Sequence, residues 1–285
     1  MCAVKIVTDS TSDVPREVRE KLGIEMVPLK VLFGEESYQD AVTLEAEQFY
    51  KMLSASPALP TTSQPSPVEF MEAFERMLAE DPEAQIISFH LSSQFSGTYQ
   101  SAVLGKSLLE RDADITVIDT KSASSGFGVL VVRAAEMARE GRSKEEILAE
   151  VDRIAASLEL YFLVDTLEYL QRGGRIGRAA ALFGSILNIK PILTIDDEGF
   201  VAPVDKVRGQ KKAMLRIMEL LERDFGAGAE LNVVMAWTSD EAPAMEMLSL
   251  IKARFNVKEV NYTTIGAVIG THVGPGTAAV FAYKV

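Results

Sequence analysis

The sequence predicts an α/β protein with two domains: an N-terminal domain in which helices flank a parallel sheet, and a C-terminal mixed α+β domain. Strand-like and helix-like patterns alternate through the first half, which is typical of a parallel sheet. The second half instead combines a hairpin signal with single strands that are separated by helices. A length of 285 residues fits about two domains, and we place the boundary near Ser157, giving domains 1–157 and 158–285.

In the first half, capping signals mark several helix starts. Asp13 is a candidate N-cap for a helix that stops at Gly23. Ser66-Pro67-Val68-Glu69 is a capping box with proline at the first helical position, and residues 143–146 form a second capping box. We predict strands at 4–7, 26–33, 86–89 and 115–118, and helices at 15–22, 43–54, 67–78, 99–109, 129–139 and 144–157.

The second half is predicted to contain a β-hairpin, because residues 189–195 and 200–205 flank a turn at 196–199. A short helix at 167–171 ends at Gly173-Gly174. Residues 270–276 are expected to form a flexible polar loop that carries His272. The remaining predictions are strands at 160–164, 231–237, 257–263 and 278–284, and helices at 210–225 and 242–255.

Charge and composition exclude several classes of function. Lys and Arg total 29 and Asp and Glu total 41, so the net charge of −12 argues against nucleic acid and anionic membrane surfaces as partners. Two histidines and the single cysteine, Cys2, leave almost no material for a zinc site or an internal disulfide, and we expect no metal. A cysteine-poor chain without a recognisable signal peptide is expected in the cytoplasm. The most apolar stretch, 179–195, is interrupted by Asn188, Lys190 and Pro191, so no integral membrane association is expected.

Four loops of the first half are crowded with serine and threonine. Three of them follow a predicted strand and precede a helix, which places them at the carboxyl edge of a parallel sheet, where α/β proteins bind ligands. Helix N-termini at that edge favour an anion. Serine, threonine and aspartate also simply cap helices, so both interpretations stay open. The loops span 8–13, 61–66, 92–98 and 119–126.

Motifs for nucleotide binding and for a serine hydrolase are absent. The sequence has no G-x-x-x-x-G-K-[ST], no G-x-G-x-x-G after a strand and no G-x-S-x-G. Gly173-Gly174-Arg175-Ile176-Gly177 is better explained as a helix C-cap and a sharp turn. Arg175 and the flanking Arg172 and Arg178 can still bind an anion. His90 lies in a strand-like run and is expected in the core. His272, in contrast, is a plausible donor to an anion.

A local basic cluster, Arg208-Gly209-Gln210-Lys211-Lys212, stands out in an acidic protein. Positive charge at a helix start opposes the helix dipole, which mildly favours a functional role. Two interpretations remain: a solvated helix start, or a docking contact for a partner or a phosphate.

The following sets of segments are considered together: Thr8-Asp9-Ser10-Thr11-Ser12-Asp13, Thr62-Ser63-Gln64-Pro65-Ser66, Leu91-Ser92-Ser93 with Ser96-Gly97-Thr98-Tyr99-Gln100-Ser101-Ala102, Asp119-Thr120 with Ser122-Ala123-Ser124 and Gly126, Leu170 with Gly173-Gly174-Arg175-Ile176-Gly177, Lys190-Pro191-Ile192-Leu193, and His272 with Gly274-Pro275-Gly276. They run in order over essentially the whole chain, and the ordered set is much more specific than any single segment. Taken together, these segments resemble the DegV family of bacterial fatty-acid-binding proteins.

The resemblance implies a long acyl chain buried between helices and sheet, with its carboxylate near the domain junction. Carried over by motif, Thr62 and either Ser93 or Ser96, with the adjacent Gly97, would bind the head group, and His272 would lie nearby. No cofactor is implied beyond the bound fatty acid.

The resemblance further implies a carrier that is not itself an enzyme. A separate ATP-dependent kinase subunit would phosphorylate the bound carboxylate to an acyl phosphate that feeds phospholipid synthesis. Arg208 and Arg175 resemble arginines implicated in kinase docking or acyl-phosphate handling. The alternative that the residues leave open is a small-molecule hydrolase or phosphotransferase that uses Ser93 or Ser96 with His272.

Overall fold

Strands and helices alternate through the first half of the computed structural model, which describes residues 3–184 and 189–285. Cys2 and Asn188 lie outside the described residues. In chain order the first elements are β1 (Val4–Asp9), α1 (Arg16–Leu22), β2 (Glu25–Val27), β3 (Lys30–Phe33), β4 (Glu36–Gln39), α2 (Ala46–Ala55), β5 (Thr61–Ser63), α3 (Pro67–Glu80), β6 (Gln85–His90), α4 (Thr98–Ser107), β7 (Ile115–Asp119), α5 (Ser125–Arg139) and α6 (Lys144–Ala155).

The second half mixes single strands, a hairpin and helices. Its elements are β8 (Glu159–Leu163), α7 (Glu168–Arg172), β9 (Ile189–Ile195), β10 (Val201–Arg208), α8 (Gln210–Phe225), β11 (Glu230–Trp237), α9 (Ala242–Arg254), β12 (Asn256–Thr264), α10 (Ala267–Val273) and β13 (Ala278–Lys284). Strands β9 and β10 pair antiparallel, which confirms the predicted hairpin. Among the described residues, no helix combines the length and apolarity needed to cross a bilayer.

The N-terminal half is built on a four-stranded parallel sheet with the order β2-β1-β6-β7. Alternate residues of β6 face opposite sides: Ile87 and Phe89 pack with α5 and α6, whereas Ile86 packs with Phe70 and Phe74 of α3. Because both faces of the sheet are covered by helices, its strands are apolar on both sides. The predicted α/β class is confirmed, and the loops that follow β1, β6 and β7 share one edge of the sheet.

The C-terminal half contains a six-stranded mixed sheet with the order β10-β9-β8-β13-β11-β12, in which only β11 and β12 run parallel. Residues of β8 alternate between two cores. Tyr161 and Leu163 pack with α8 and α9, whereas Leu160 and Phe162 belong to a second cluster on the opposite face. That opposite face is turned toward the N-terminal half and forms one wall of the cavity described below.

A small antiparallel sheet, β4-β3-β5, corrects two predictions. The predicted strand 26–33 is wrong as a single element, because it divides at Pro28 into β2, in the parallel sheet, and β3, in the small sheet. Proline has no N–H to donate, which favours a break in the ladder there. The predicted loop 61–66 begins instead with strand β5, in which Thr62 pairs with Val31. The head-group candidate Thr62 therefore lies on a strand rather than on a loop.

The structure corrects the predicted position of His272, which lies on helix α10 and not on a flexible loop. The sequence of α10, Ala-Val-Ile-Gly-Thr-His-Val, is rich in β-branched residues and glycine, which are poor helix formers. Contacts from elsewhere stabilise the helix start: Asp13 and Asp40 accept hydrogen bonds from the N–H groups of Gly266 and Ala267. Local sequence patterns do not reveal such long-range capping.

Asp13 also departs from its predicted role as the N-cap of α1. The N-cap of that helix is Pro15, without a side-chain hydrogen bond. Asp13 instead has a φ of 52°, a left-handed conformation that aspartate tolerates better than most residues. The two predicted capping boxes are confirmed: Ser66 with Glu69 caps α3, and residues 143 and 146 cap α6 in the same way.

Candidate functional site

A cavity of about 320 Å³ lies between the six-stranded sheet and the N-terminal half. Its walls are largely apolar and come from both halves of the chain, which is typical of a small-molecule site at a domain junction. The apolar residues that line it are Leu29, Leu91, Phe95, Ala123, Leu160, Phe162, Leu170, Ile195, Val201, Ile265, Val268, Ile269, Val273, Ala279 and Phe281. Such walls fit an apolar ligand far better than a nucleotide or a sugar.

Two of the polar residues that line the cavity are in direct side-chain contact, and a third is held by a backbone carbonyl group. Thr62 Oγ1 lies 2.9 Å from His272 Nε2. Arg175 donates from Nε to the carbonyl oxygen of Phe95, at 3.0 Å, in the loop that also carries Ser96. Ser96, Thr62, His272 and Arg175 all line the cavity, so the structure brings four of the predicted site residues together.

His272 is neutral at pH 7. Burial, and secondarily the positive charge of Arg175, lowers the pKa of His272 to about 4. Its Nδ1 atom is buried without a hydrogen-bond partner among the described residues and faces Gly173, where a Cβ atom would lie only 2.3 Å away. Glycine at position 173 therefore leaves the space that the imidazole ring fills, a role beyond the predicted helix C-cap.

Ser93 and Gly97 are not among the residues that line the cavity. Their backbone N–H groups instead hold the surrounding loop in place. The backbone N–H of Ser93 donates to Asp119 Oδ1 at 3.2 Å. The N–H of Gly97 donates to Gln64 Oε1 at 2.9 Å. A direct contact of either residue with a head group remains a prediction.

Arg208 lies away from these polar groups, at the end of β10. It is exposed and lines a separate shallow hollow with Lys211 and Lys212. The basic cluster noted in the sequence is therefore a continuous surface feature. It is not part of the cavity.

Gln64 is a cavity residue whose role the sequence reasoning missed. Its side chain accepts from Gly97 and donates from Nε2 to Ser101 Oγ at 3.2 Å, so it ties strand β5 to the start of α4. The hydroxyl-rich segment 61–66 contained this residue, but only the hydroxyls were singled out. The apolar walls carried no signal at all, because cavity residues and ordinary core residues are alike in sequence.

The contacts do not form a serine hydrolase site. Ser96 Oγ lies 2.8 Å from Thr98 Oγ1, whereas His272 Nε2 contacts Thr62. A Ser-His-Asp arrangement does occur elsewhere: His90 Nδ1 is 3.0 Å from Asp9 and its Nε2 is 2.7 Å from Ser88. All three residues are fully buried, which confirms the core position predicted for His90 and denies a substrate access to it. Within the described part of the chain, no group of three or more His, Cys, Asp or Glu residues is arranged to hold a metal ion.

The fold and the cavity together define an α/β protein that encloses an apolar binding site with a small polar cluster. The chain belongs to the DegV family: a family model described as "Uncharacterised protein, DegV family" matches residues 3–285. A DegV domain-containing protein from Caldanaerobacter subterraneus subsp. tengcongensis is 41% identical over 278 residues, which cover 98% of each chain. The resemblance recognised in the sequence is confirmed.

Solved structures of this family are closely similar and carry ligand information. A DegV family protein from Thermus thermophilus, described for its fatty acid binding, has a TM-score of 0.91 at 37% identity and matches 99% of this chain and 100% of its own. A stearic-acid-binding protein from Eubacterium ventriosum has a TM-score of 0.87 at 29% identity and matches 99% and 98%. Members of the DegV family therefore bind fatty acids.

Proposed function

We propose that this chain binds a long-chain fatty acid in the cavity and presents its carboxylate to a separate ATP-dependent kinase. The observation that carries the proposal is the pairing of largely apolar walls with a few polar side chains in one cavity, those of Thr62, Ser96, Arg175 and His272. This arrangement complements a molecule with an apolar tail and a single polar end. The fatty acids bound by similar DegV proteins have that chemistry.

The tail supplies most of the affinity in this proposal. Each buried methylene contributes about 0.8 kcal/mol, so a fatty acid with roughly fourteen methylenes gains on the order of 11 kcal/mol before ordering costs. A hydrogen bond from a neutral hydroxyl contributes only about 1 kcal/mol net. The polar groups therefore act mainly by fixing the register of the ligand and the position of its carboxylate.

The carboxylate of the ligand is proposed to accept a hydrogen bond from a hydroxyl group that His272 orients. With the proton of the neutral imidazole on Nε2, His272 donates to Thr62 Oγ1, and the hydroxyl proton of Thr62 is left for the ligand carboxylate. Ser96 offers a second hydroxyl, and Arg175 supplies the permanent positive charge among the described residues that line the cavity. Hydroxyls suit a carboxylate that must later be phosphorylated, because they do not hold it in a tight ion pair.

The kinase partner is proposed to dock at the basic hollow around Arg208. Its cations, Arg208, Lys211 and Lys212, outnumber Glu246, the acidic residue that lines the same hollow, so they favour an acidic surface on the kinase. The carrier itself would have no catalytic residue and no cofactor. Its acyl phosphate product would enter phospholipid synthesis in the cytoplasm.

Ligand identity tests the proposal most directly. The purified protein is denatured, extracted with organic solvent and examined by mass spectrometry, before and after incubation with a mixture of fatty acids. We expect a near-stoichiometric long-chain fatty acid. The matched control is Ala279→Phe, which fills the cavity from β13 and is expected to carry none. A blank from the wild-type protein in both extractions, with turnover of ester or phosphate substrates, would favour the hydrolase alternative instead.

A further inference from the structure

The start of helix α10 is held by two carboxyl groups from the N-terminal half. Asp13 Oδ1 accepts from the N–H of Gly266 at 3.0 Å, and Asp40 Oδ1 accepts from the N–H of Ala267 at 3.1 Å. Helix α10 carries His272 into the polar cluster of the cavity. Asp13 and Asp40, which are more than 200 positions from His272 in the sequence, therefore hold the start of the helix that positions His272.

The second oxygens of these carboxyls have unequal surroundings. Asp13 Oδ2 accepts a hydrogen bond from the hydroxyl of Ser124. Asp40 is 1% exposed, and its Oδ2 is buried without a partner among the described residues. A charged carboxylate oxygen in that position loses its hydration and gains no donor, which disfavours the ionised form of the pair.

No cation compensates for the two acids. In the part of the chain that the structure describes, neither carboxyl has a Lys, Arg or His nitrogen within ion-pair distance. Arg19 donates to the backbone of Val14. The titratable and charged groups that face the pair from the neighbouring elements are Asp9, Arg16, Arg19, Glu45, Glu47, Tyr50, Lys51, Tyr169 and Tyr262.

The titration of the pair follows from this geometry. Burial raises the pKa of Asp40 to about 7, and burial also raises the pKa of Asp13 well above its usual range. The negative charge of Asp9 raises both pKa values, and the negative charge of Asp40 raises that of Asp13. Burial lowers the pKa of His272 to about 4, so the charged form of His272 and the charged forms of the two carboxyls are all disfavoured by burial.

We propose that Asp13 and Asp40 are positioning residues that clamp the start of α10, so that the two carboxyls hold His272 in the head-group site most firmly while they are protonated. The part of this inference that concerns ligand retention rests on the proposed function. The clamp itself does not.

The sign of the pH effect follows from proton linkage. When α10 detaches, the two carboxyls reach water and regain ordinary acidic pKa values, so opening releases a proton at any pH between those values and the raised ones. The contribution of the two carboxyls to the closed state is therefore largest below about pH 4 and is lost as pH rises to about 7. His272 acts in the opposite sense below about pH 6.5, because its lowered pKa returns to the ordinary value when α10 detaches and opening then takes up a proton. For a single linked proton, opening becomes up to about tenfold more frequent per pH unit in this window.

Hydrogen–deuterium exchange of the full chain tests the clamp without any ligand. Protection of the Gly266 and Ala267 amides, corrected for intrinsic exchange rates, is measured from pH 5 to pH 7.5 for the wild type and for Asp40→Asn. The ratio of wild-type to Asp40→Asn protection is expected to fall by up to about tenfold per pH unit, because the titration of His272 is common to both proteins and cancels. Asp40→Asn keeps an acceptor oxygen but cannot ionise, so it is expected to lack the fall due to Asp40 and to be better protected at pH 7 than the wild type.

Two further variants keep the exchange result decisive. Asp114→Asn removes a surface carboxyl that pairs with Lys144, so it is expected to keep the wild-type slope. Asp13→Asn takes the place of Asp40→Asn if that variant does not fold, because asparagine also tolerates the left-handed conformation. An Asp40→Asn slope parallel to the wild type, or weaker protection at every pH, would mean that the pair acts only as structural caps.

The link to the ligand is read from transfer of palmitic acid to phosphatidylcholine vesicles over the same pH range. The ratio of the variant to the wild-type transfer rate cancels the titration of palmitic acid itself, and we expect Asp40→Asn to release it several-fold more slowly at pH 7. Failure of the wild type to hold palmitic acid at all would contradict the proposed function. In that case the exchange experiment still tests whether the two carboxyls hold the start of α10, because it needs no ligand.

Discussion

Thr62 Oγ1 and His272 Nε2 lie 2.9 Å apart, although the two residues are separated by 210 positions in the sequence. Thr62 belongs to strand β5 of the small sheet and His272 to helix α10 near the C-terminus. The polar cluster therefore exists only where these two distant segments are docked against each other. Changes on either side of this contact are expected to affect the ligand more than the fold.

Thr62→Val is expected to weaken fatty acid binding modestly. The substitution keeps the shape of the side chain and removes the hydroxyl that would meet the carboxylate. Loss of this hydrogen bond costs about 1–2 kcal/mol, or roughly five- to thirtyfold in Kd, while the tail contribution is unchanged. The measurement is partitioning of palmitic acid between the protein and phospholipid vesicles at pH 7.

The matched control is Thr61→Val on the same strand. Thr61 is exposed and does not line the cavity, so this variant is expected to bind like the wild type. Equal partitioning for Thr61→Val and Thr62→Val would remove Thr62 from the head-group site.

His272→Gln is expected to make the protein less sensitive to acid. The pKa of His272 is lowered from 6.5 to about 4, so protons bind the unfolded chain preferentially between these values, and the folded state loses stability as pH falls through them. The loss for the wild type amounts to up to about 3 kcal/mol at the acidic end. Urea unfolding measures the free energy of unfolding at pH 7 and pH 4.5. The difference between these two free energies is expected to be smaller in the variant than in the wild type. An unchanged difference would show that burial does not suppress the charge of this histidine.

Gly173→Ala is expected to disturb the site through His272 rather than through the backbone. The φ of Gly173 is −72°, which alanine adopts readily, but its Cβ would lie 2.3 Å from His272 Nδ1. We expect several-fold weaker retention of palmitic acid. Combining Gly173→Ala with His272→Ala tests the cause, because removal of the ring removes the clash and the two effects are then expected to be less than additive. Strict additivity would point to a different origin of the defect.

The fold was largely predictable because its signals are local. The alternation of strands and helices, the capping box at Ser66 and the turn at 196–199 each depend on residues close together in sequence. The error at α10 concerns long-range contacts. Helix α10 depends on Asp13 and Asp40, which lie more than 200 positions away, and no local pattern marks it as a helix.

The candidate site was predictable only in its polar part. The resemblance pointed to Thr62, Ser96, Arg175 and His272, and these four residues do line one cavity. The apolar walls were not predictable, because their residues come from both halves of the chain and have the composition of any core. The length and shape of a bound tail are set by those walls and by no motif.

Substitutions of Ala279 are expected to shorten the preferred fatty acid in steps. Ala279 is 3% exposed, lies on β13 and lines the cavity, so every added methylene occupies space that the tail would use. Ala279→Val is expected to favour fatty acids a few carbons shorter than the wild type does, and Ala279→Met to favour still shorter ones. Mass spectrometry of the fatty acids bound from an equimolar mixture gives the distribution. The same distribution in all three proteins would place the tail elsewhere.

Arg208→Ala is expected to impair phosphorylation of the bound fatty acid without changing its binding. Arg208 is exposed, belongs to the basic hollow with Lys211 and Lys212 and does not line the cavity. Loss of one rim charge mainly weakens encounter with an acidic partner, so KM for the carrier should rise about tenfold or less, and more steeply at low ionic strength. Acyl phosphate formation is measured with a purified fatty acid kinase subunit and ATP.

The matched control for Arg208→Ala is Lys206→Ala, which removes an exposed cation two residues earlier on β10 and should behave like the wild type. An equal defect in both variants would reduce the role of Arg208 to general surface charge, and normal kinetics in both would move kinase docking to another face.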